Sequence, residues 1–135
     1  MTGRVLGLDY GTKRVGIAIS DPLRRIAQPL EVVDRSHAVA RVQSLVEEFE
    51  VTMCVVGLPT SLGGEEGSAA IAAREFGVEI EEATGREVVF VDERFTSATA
   101  EKAMIEAGVK RRRRRETLDK VAATVILQTF LDRPQ

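Results

Sequence analysis

The sequence predicts an α/β fold: a five-stranded mixed sheet in the order 3-2-1-4-5 with helices on both faces. Three observations predict it. Two apolar runs, residues 5–10 (VLGLDY) and 15–20 (VGIAIS), flank a tight Gly11-Thr12-Lys13-Arg14 break, the pattern of an antiparallel hairpin. Two later runs, 52–58 (TMCVVGL) and 87–92 (EVVFVD), are apolar almost throughout, as strands covered on both faces are. Segments with apolar residues at helical spacing lie between and after them, and βα crossovers of that kind bring strands parallel.

Taken in order, strand one ends at Tyr10 and strand two returns from Val15, stopped by Asp21-Pro22. A third strand is expected over 30–33. Val39, Val42, Leu45, Val46 and Phe49 then mark a helix. Strand four follows over 52–58, and 59–67 reads as a glycine-rich loop. A helix over 68–83 closes at Gly85, and strand five is 87–92. Thr96 or Ser97 caps a further helix ending at Gly108. Thr117 is expected to cap the last one, with Leu118, Val121, Ala122 and Val125 on one face. Strands one, four and five would run parallel, so their C-terminal ends share one edge, where α/β sheets keep their sites.

The chain of 135 residues fits one domain, residues 1–135, with 44% hydrophobic and 30% charged residues. A single cysteine, Cys54, excludes a disulfide framework and suits a reducing compartment. No apolar run approaches the roughly 20 residues of a transmembrane helix, and the start lacks a secretory apolar core. The expectation is a cytoplasmic protein with no membrane partner. The net charge of −2 argues against indiscriminate polyanion binding, yet Lys110, Arg111, Arg112, Arg113, Arg114 and Arg115 form one basic run.

Acidic residues gather at the predicted edge. Asp9 lies near the end of strand one, Asp92 and Glu93 lie at the end of strand five, and Asp119 is expected in the first turn of the last helix, turned toward the protein by Ala122, Ala123 and Ile126. Gathered carboxylates repel, and a divalent cation removes that penalty. Oxygen donors without a His or Cys cluster favour Mg²⁺ or Mn²⁺, and two such ions serve phosphodiester hydrolysis. Glu93 is preferred to Asp92, because strands one and five lie about 9–10 Å apart across strand four and the longer side chain spans more of that gap. Gly57, at the end of strand four, leaves room for ions or a phosphate. Plainer readings stand beside these: Asp9 accepting turn N–H groups at Gly11 and Thr12, Asp119 as a first-turn acid against the helix dipole, and the Asp92-Glu93-Arg94 segment as a solvated strand end.

Cations accompany the acids. Lys13 and Arg14 lie in the turn after Asp9, Arg94 follows Glu93, and the basic run from Lys110 to Arg115 precedes the helix of Asp119. Forked guanidinium contacts suit phosphates. Aromatic residues make up only 4% and do not interleave with the arginines, so stacking on unpaired bases is not expected and backbone contacts are. Cys54 reads as core and His37 as isolated. The Gly63-Gly64-Glu65-Glu66-Gly67 loop lacks the Lys-Ser/Thr ending of a P-loop.

Four segments, LGLDYGTKRVGIA, VVGLP with the downstream EEG, VDERFTSATAE and LDKVAATVILQTFL, span nearly the whole chain in order. With them the sequence resembles the YqgF family of Holliday-junction-resolvase-like proteins and pre-16S rRNA nucleases. The resemblance implies a ribonuclease H-like fold and metal-dependent phosphodiester hydrolysis by the acids at Asp9, Glu93 and Asp119. It also implies a role in maturing the 5′ end of 16S rRNA, with pre-rRNA favoured as partner and branched DNA as the alternative, by a monomer or homodimer. Where the family has a Leu-Asn-Met-Asp-Gly-like stretch this chain has Thr60-Ser61-Leu62-Gly63-Gly64, so no role passes to that loop. Two further readings are a non-catalytic RNA-binding ribosome assembly factor and a nucleotide-binding phosphotransferase, the latter because DYGT resembles the phosphate loop of the actin, sugar kinase and Hsp70 superfamily. Each of those clamps ATP between two domains, where this chain has one.

Overall fold

The structure is a computed structural model that describes residues 3–59, 67–92 and 111–133, with the side chains of 111–119 excepted. The strands are β1 (Arg4–Tyr10), β2 (Arg14–Ser20), β3 (Ala27–Asp34), β4 (Val51–Leu58) and β5 (Glu87–Asp92). The helices are α1 (Ala38–Glu48), α2 (Ser68–Thr84) and α3 (Arg111–Leu131), with a 3₁₀ turn over Arg35–His37 before α1. The sheet order is β3-β2-β1-β4-β5, as the sequence predicts. β1 and β2 pair antiparallel, as do β2 and β3, while β1, β4 and β5 run parallel.

The sheet has two apolar faces because its central strands alternate between two cores. Leu6, Leu8, Val15, Ile17, Cys54 and Val56 pack with Val42 and Leu45 of α1 and Phe76 and Ile80 of α2. Val5, Ala18, Val55 and Val91 pack on the other side with Ala123, Ile126 and Leu127 of α3. Period-two alternation therefore assigns each strand residue to the α1/α2 face or the α3 face. α2 ends at Gly85 in the left-handed conformation, φ +68°, a backbone state that costs glycine little.

Three elements differ from expectation. β3 begins three residues early because β2 supplies a partner edge beyond the apolar stretch; the register shifts between Ile17 and Ala18, where Pro29 sits on this outer strand. α3 begins at Arg111 rather than near Thr117, so the arginines belong to the helix, as their good helix propensity allows, and Asp119 lies in its third turn. The buried face of α3 is Ala122, Ala123, Ile126 and Leu127, with Val121 and Val125 only partly covered. Both stripes are apolar; the one holding Ala123 and Leu127 faces the sheet, where α3 approaches β1 closely at Gly7 and a Cβ would lie 2.6 Å from Leu127 Cβ. The helix expected between Thr96 and Gly108 lies outside the described residues.

The C-terminal half of α3 is tied to the start of β3. Gln128 Oε1 accepts from the Ala27 N–H at 2.9 Å, and its Nε2 donates to the Arg25 carbonyl and to Asp132 Oδ1. Gln128→Ala should lower stability by about 1–3 kcal/mol, since partly buried backbone groups lose their partners. A reduced urea midpoint at unchanged slope would show this.

Cys54 is free and buried in β4. Burial pushes its thiol up to about 12 from 9.0, with the nearby Arg86 charge opposing slightly. The unfolded chain then releases this proton before the folded one does. The stability this group contributes is fully present below about pH 9 and declines as pH rises toward 12. Urea midpoints at pH 8 and pH 10 should fall in that order, by less in Cys54→Ala.

Candidate active site

The C-terminal edge of the parallel strands collects the described site residues. Asp9 is half-buried. Val5 belongs to the α3 core, so alternation puts Gly7 and Asp9 on the α3 face of β1. Asp9 stands opposite Gly16 of β2. Leu8 pairs with Val56, which brings Asp9 level with Gly57 of β4. The carboxylate is thus flanked on both neighbouring strands by residues without a side chain. Gly16 was not singled out in the sequence, although an isolated glycine inside a strand is a signal of close approach.

The turn beyond Asp9 satisfies its own backbone in part. The Gly11 N–H donates to the Arg14 carbonyl at 2.9 Å. A Cβ on Gly11 would lie 2.7 Å from that carbonyl oxygen. Arg14 shares the α3 face with Gly16 and Ala18 and pairs in register with Asp34. Lys13 is exposed at the tip.

Asp92 lies on the other face. Phe90 packs against the α1/α2 core and Val91 against the α3 core, so Asp92 sides with Phe90. Glu93, Arg94 and Lys110 lie outside the described residues, as do the side chains of Arg111, Arg112, Arg113, Arg114, Arg115 and Asp119. Among the described residues no three His, Cys, Asp or Glu side chains gather as a metal site.

The direction of α3 follows from its ties. Gln128 meets Ala27, which pairs with Ser20, and the Ser20 hydroxyl accepts from the Val5 N–H at 2.8 Å. The C-terminal end of α3 therefore lies at the N-terminal end of β1, and its N-terminal turns extend toward Asp9.

The opposite face of the same edge carries a feature the sequence did not suggest. Tyr10 stacks on Phe76 with centroids 4.4 Å apart and 21° between planes. The Arg35 guanidinium lies 4.4 Å from the Tyr10 ring centre, donates to its hydroxyl, and donates to the Thr12 carbonyl at 3.2 Å. The Arg35 N–H reaches the Lys13 carbonyl at 2.9 Å. No pattern in the chain joins Arg35 to Tyr10 and Phe76; only β3 pairing and α2 packing do.

Comparison with known proteins agrees with this architecture. The family model described as "RuvX: Holliday junction resolvase" matches residues 3–133. The chain belongs to this family. Its relatives include proteins named "Putative pre-16S rRNA nuclease" from Lactococcus lactis, 42% identical over 98% of this chain and 96% of the relative, and from Moorella thermoacetica, 44% identical over 96% and 95%. Among solved structures, Thermus thermophilus RuvC in complex with a Holliday junction substrate superposes with a TM-score of 0.60 at 17% identity, over 95% of this chain and 93% of that one. That similarity establishes a ribonuclease H-like fold of the RuvC type. Among the described residues no helix is long and apolar enough to cross a membrane.

Proposed function

We propose that the chain is a cytoplasmic, single-domain nuclease spanning residues 1–135, which hydrolyses phosphodiesters of a 16S rRNA precursor with Mg²⁺ or Mn²⁺. The observation that carries this reading is Asp9, half-buried at the sheet edge between Gly16 and Gly57. A Cβ at either glycine would narrow the space beside that carboxylate, and hard oxygen donors suit these ions. The names of the relatives support the substrate class.

Asp9, Glu93 and Asp119 would hold two ions. Glu93 is favoured over Asp92 because Asp92 lies on the α1/α2 face, away from Asp9. Asp119 is favoured by matched spacing. Ala123 meets β1 at Gly7; the two residues from Gly7 to Asp9 advance about 6–7 Å along the strand, and the four from Ala123 to Asp119 retreat about 6 Å along the helix. When bound, such a pair of ions activates a water and stabilises the departing 3′ oxygen. The protein's part is to hold its three carboxylates on one face and leave the glycine gap for the phosphate. Arg14 on that face, Lys13 at the turn, Arg94, Lys110 and the run from Arg111 to Arg115 would grip the substrate backbone. Five arginines opening a helix oppose its dipole and repel one another, and a polyanion relieves both.

The test is incubation of the purified chain with labelled 16S rRNA precursor and, in parallel, a four-way DNA junction, each with Mn²⁺, Mg²⁺ or EDTA. Cleavage of the precursor that needs metal is expected. Preferential cleavage of the junction would transfer the assignment to junction resolution, which the family description favours and which would call for a homodimer rather than a monomer. Binding of the precursor without cleavage under any metal would make the chain an assembly factor.

A further inference from the structure

An open groove beside Arg35 lies outside the carboxylate site. It measures about 630 Å³, and its lining includes Tyr10, Lys13, Asp34, Arg35, Ser36 and Glu79. Its central feature is the Phe76–Tyr10 aromatic pair, with the exposed Arg35 guanidinium 4.4 Å from the Tyr10 ring centre. Arg35 is the exposed member of this group. Bonds from its guanidinium to the Tyr10 hydroxyl and the Thr12 carbonyl hold it in place.

A guanidinium plane held in this way accepts an unpaired nucleobase by stacking. The remaining lining distinguishes a base from a bare phosphate. Asp34 and Glu79 place two carboxylates against Lys13 and Arg35, so the cavity has no net positive charge to attract an anion. Carboxylate and hydroxyl oxygens from Asp34, Glu79 and Ser36 are instead acceptors for the amino and ring N–H groups of a base edge. Position adds a further reason. Tyr10 follows Asp9 in β1 and faces the other way, so a strand crossing the sheet edge passes Arg14 and Asp9 on one side and reaches Arg35 on the other, with Lys13 at the turn between.

We propose that Arg35, backed by Tyr10 and Phe76, stacks an unpaired nucleobase flanking the scissile nucleotide, so that the substrate is single-stranded on that side of the cut. Arg35 is here a positioning residue. The path of the strand rests on the nuclease reading above; base binding itself does not, and the two are tested apart by measuring binding in EDTA.

The probes are a fluorescein-labelled oligoadenylate and the same strand with abasic sugars replacing its adenosines, read by anisotropy. The wild-type chain should bind the intact strand about tenfold more tightly, as expected for one stacked base. Arg35→Ala should bind both strands alike. Arg35→Lys keeps the charge without the plane; it should preserve the salt dependence of binding while also losing the preference for bases. Circular dichroism on both variants verifies that the fold is retained, as the exposure of Arg35 predicts. Equal binding of the two strands by the wild-type chain overturns the proposal. So does a preference that survives in both variants.

Discussion

Asp9→Asn should leave the fold intact and remove the metal-dependent cleavage of the rRNA precursor proposed above. Asn keeps the shape of the side chain and takes away its charge, so an ion held as proposed at this edge would lose a ligand. Supporting contacts around metal ligands are typically worth about 10- to 100-fold in affinity or activity; loss of a carboxylate that would itself hold an ion should exceed the upper figure. Because Asp9 is flanked by Gly16 and Gly57, neither neighbouring strand offers a side chain to replace it. Precursor cleavage in Mn²⁺ and in Mg²⁺, measured beside a thermal melt, decides the point. A variant that melts like the wild type and still cuts at an undiminished rate would falsify the assignment of Asp9. Glu93→Gln and Asp119→Asn should behave alike, while Asp92→Asn should cut nearly as the wild-type chain does, since Asp92 lies on the other face.

Gly7→Ala should damage both stability and cleavage, for one geometric reason. The new Cβ would sit 2.6 Å from Leu127 Cβ and 2.9 Å from the Ala123 carbonyl oxygen. Neither is the end of a flexible side chain, so α3 must move away from the sheet. Overpacking of this kind costs about 1–3 kcal/mol, or roughly 4–12 °C of melting temperature for a chain of this size. The loss of cleavage should be larger than unfolding explains. Asp119 stands one turn before Ala123, and a displacement of about 1 Å at a reacting group can reduce the rate about 100-fold. Cleavage well below the melting transition separates the two effects. A lower melting temperature with normal cleavage at low temperature would show that α3 does not set the position of an essential group.

Much of this protein was legible in the chain. The hairpin at 5–20, the two apolar runs at 52–58 and 87–92, and the Gly85 stop all follow from rules that act over a few residues, where side-chain alternation, turn chemistry and burial agree. Crossover handedness then leaves few topologies, so the strand order follows as well. The position of Asp9 at a strand end is equally local.

Folding alone supplied the rest, because it depends on residues far apart in the sequence. Which apolar stripe of α3 is buried could not be read from periodicity, since both stripes are hydrophobic; the close approach at Gly7 puts the stripe of Ala123 and Leu127 against the sheet. The start of α3 at Arg111 rather than near Thr117 moved Asp119 from the first turn to the third, which removes its reading as a partner of the helix dipole. The side of the sheet on which Asp92 lies required the register of β5 against β4. The stack of Arg35 on Tyr10 and Phe76 joins a 3₁₀ turn, a strand and a helix. Aromatic content and local spacing carry no trace of it, because a contact between three separate elements exists only once the sheet has brought them together.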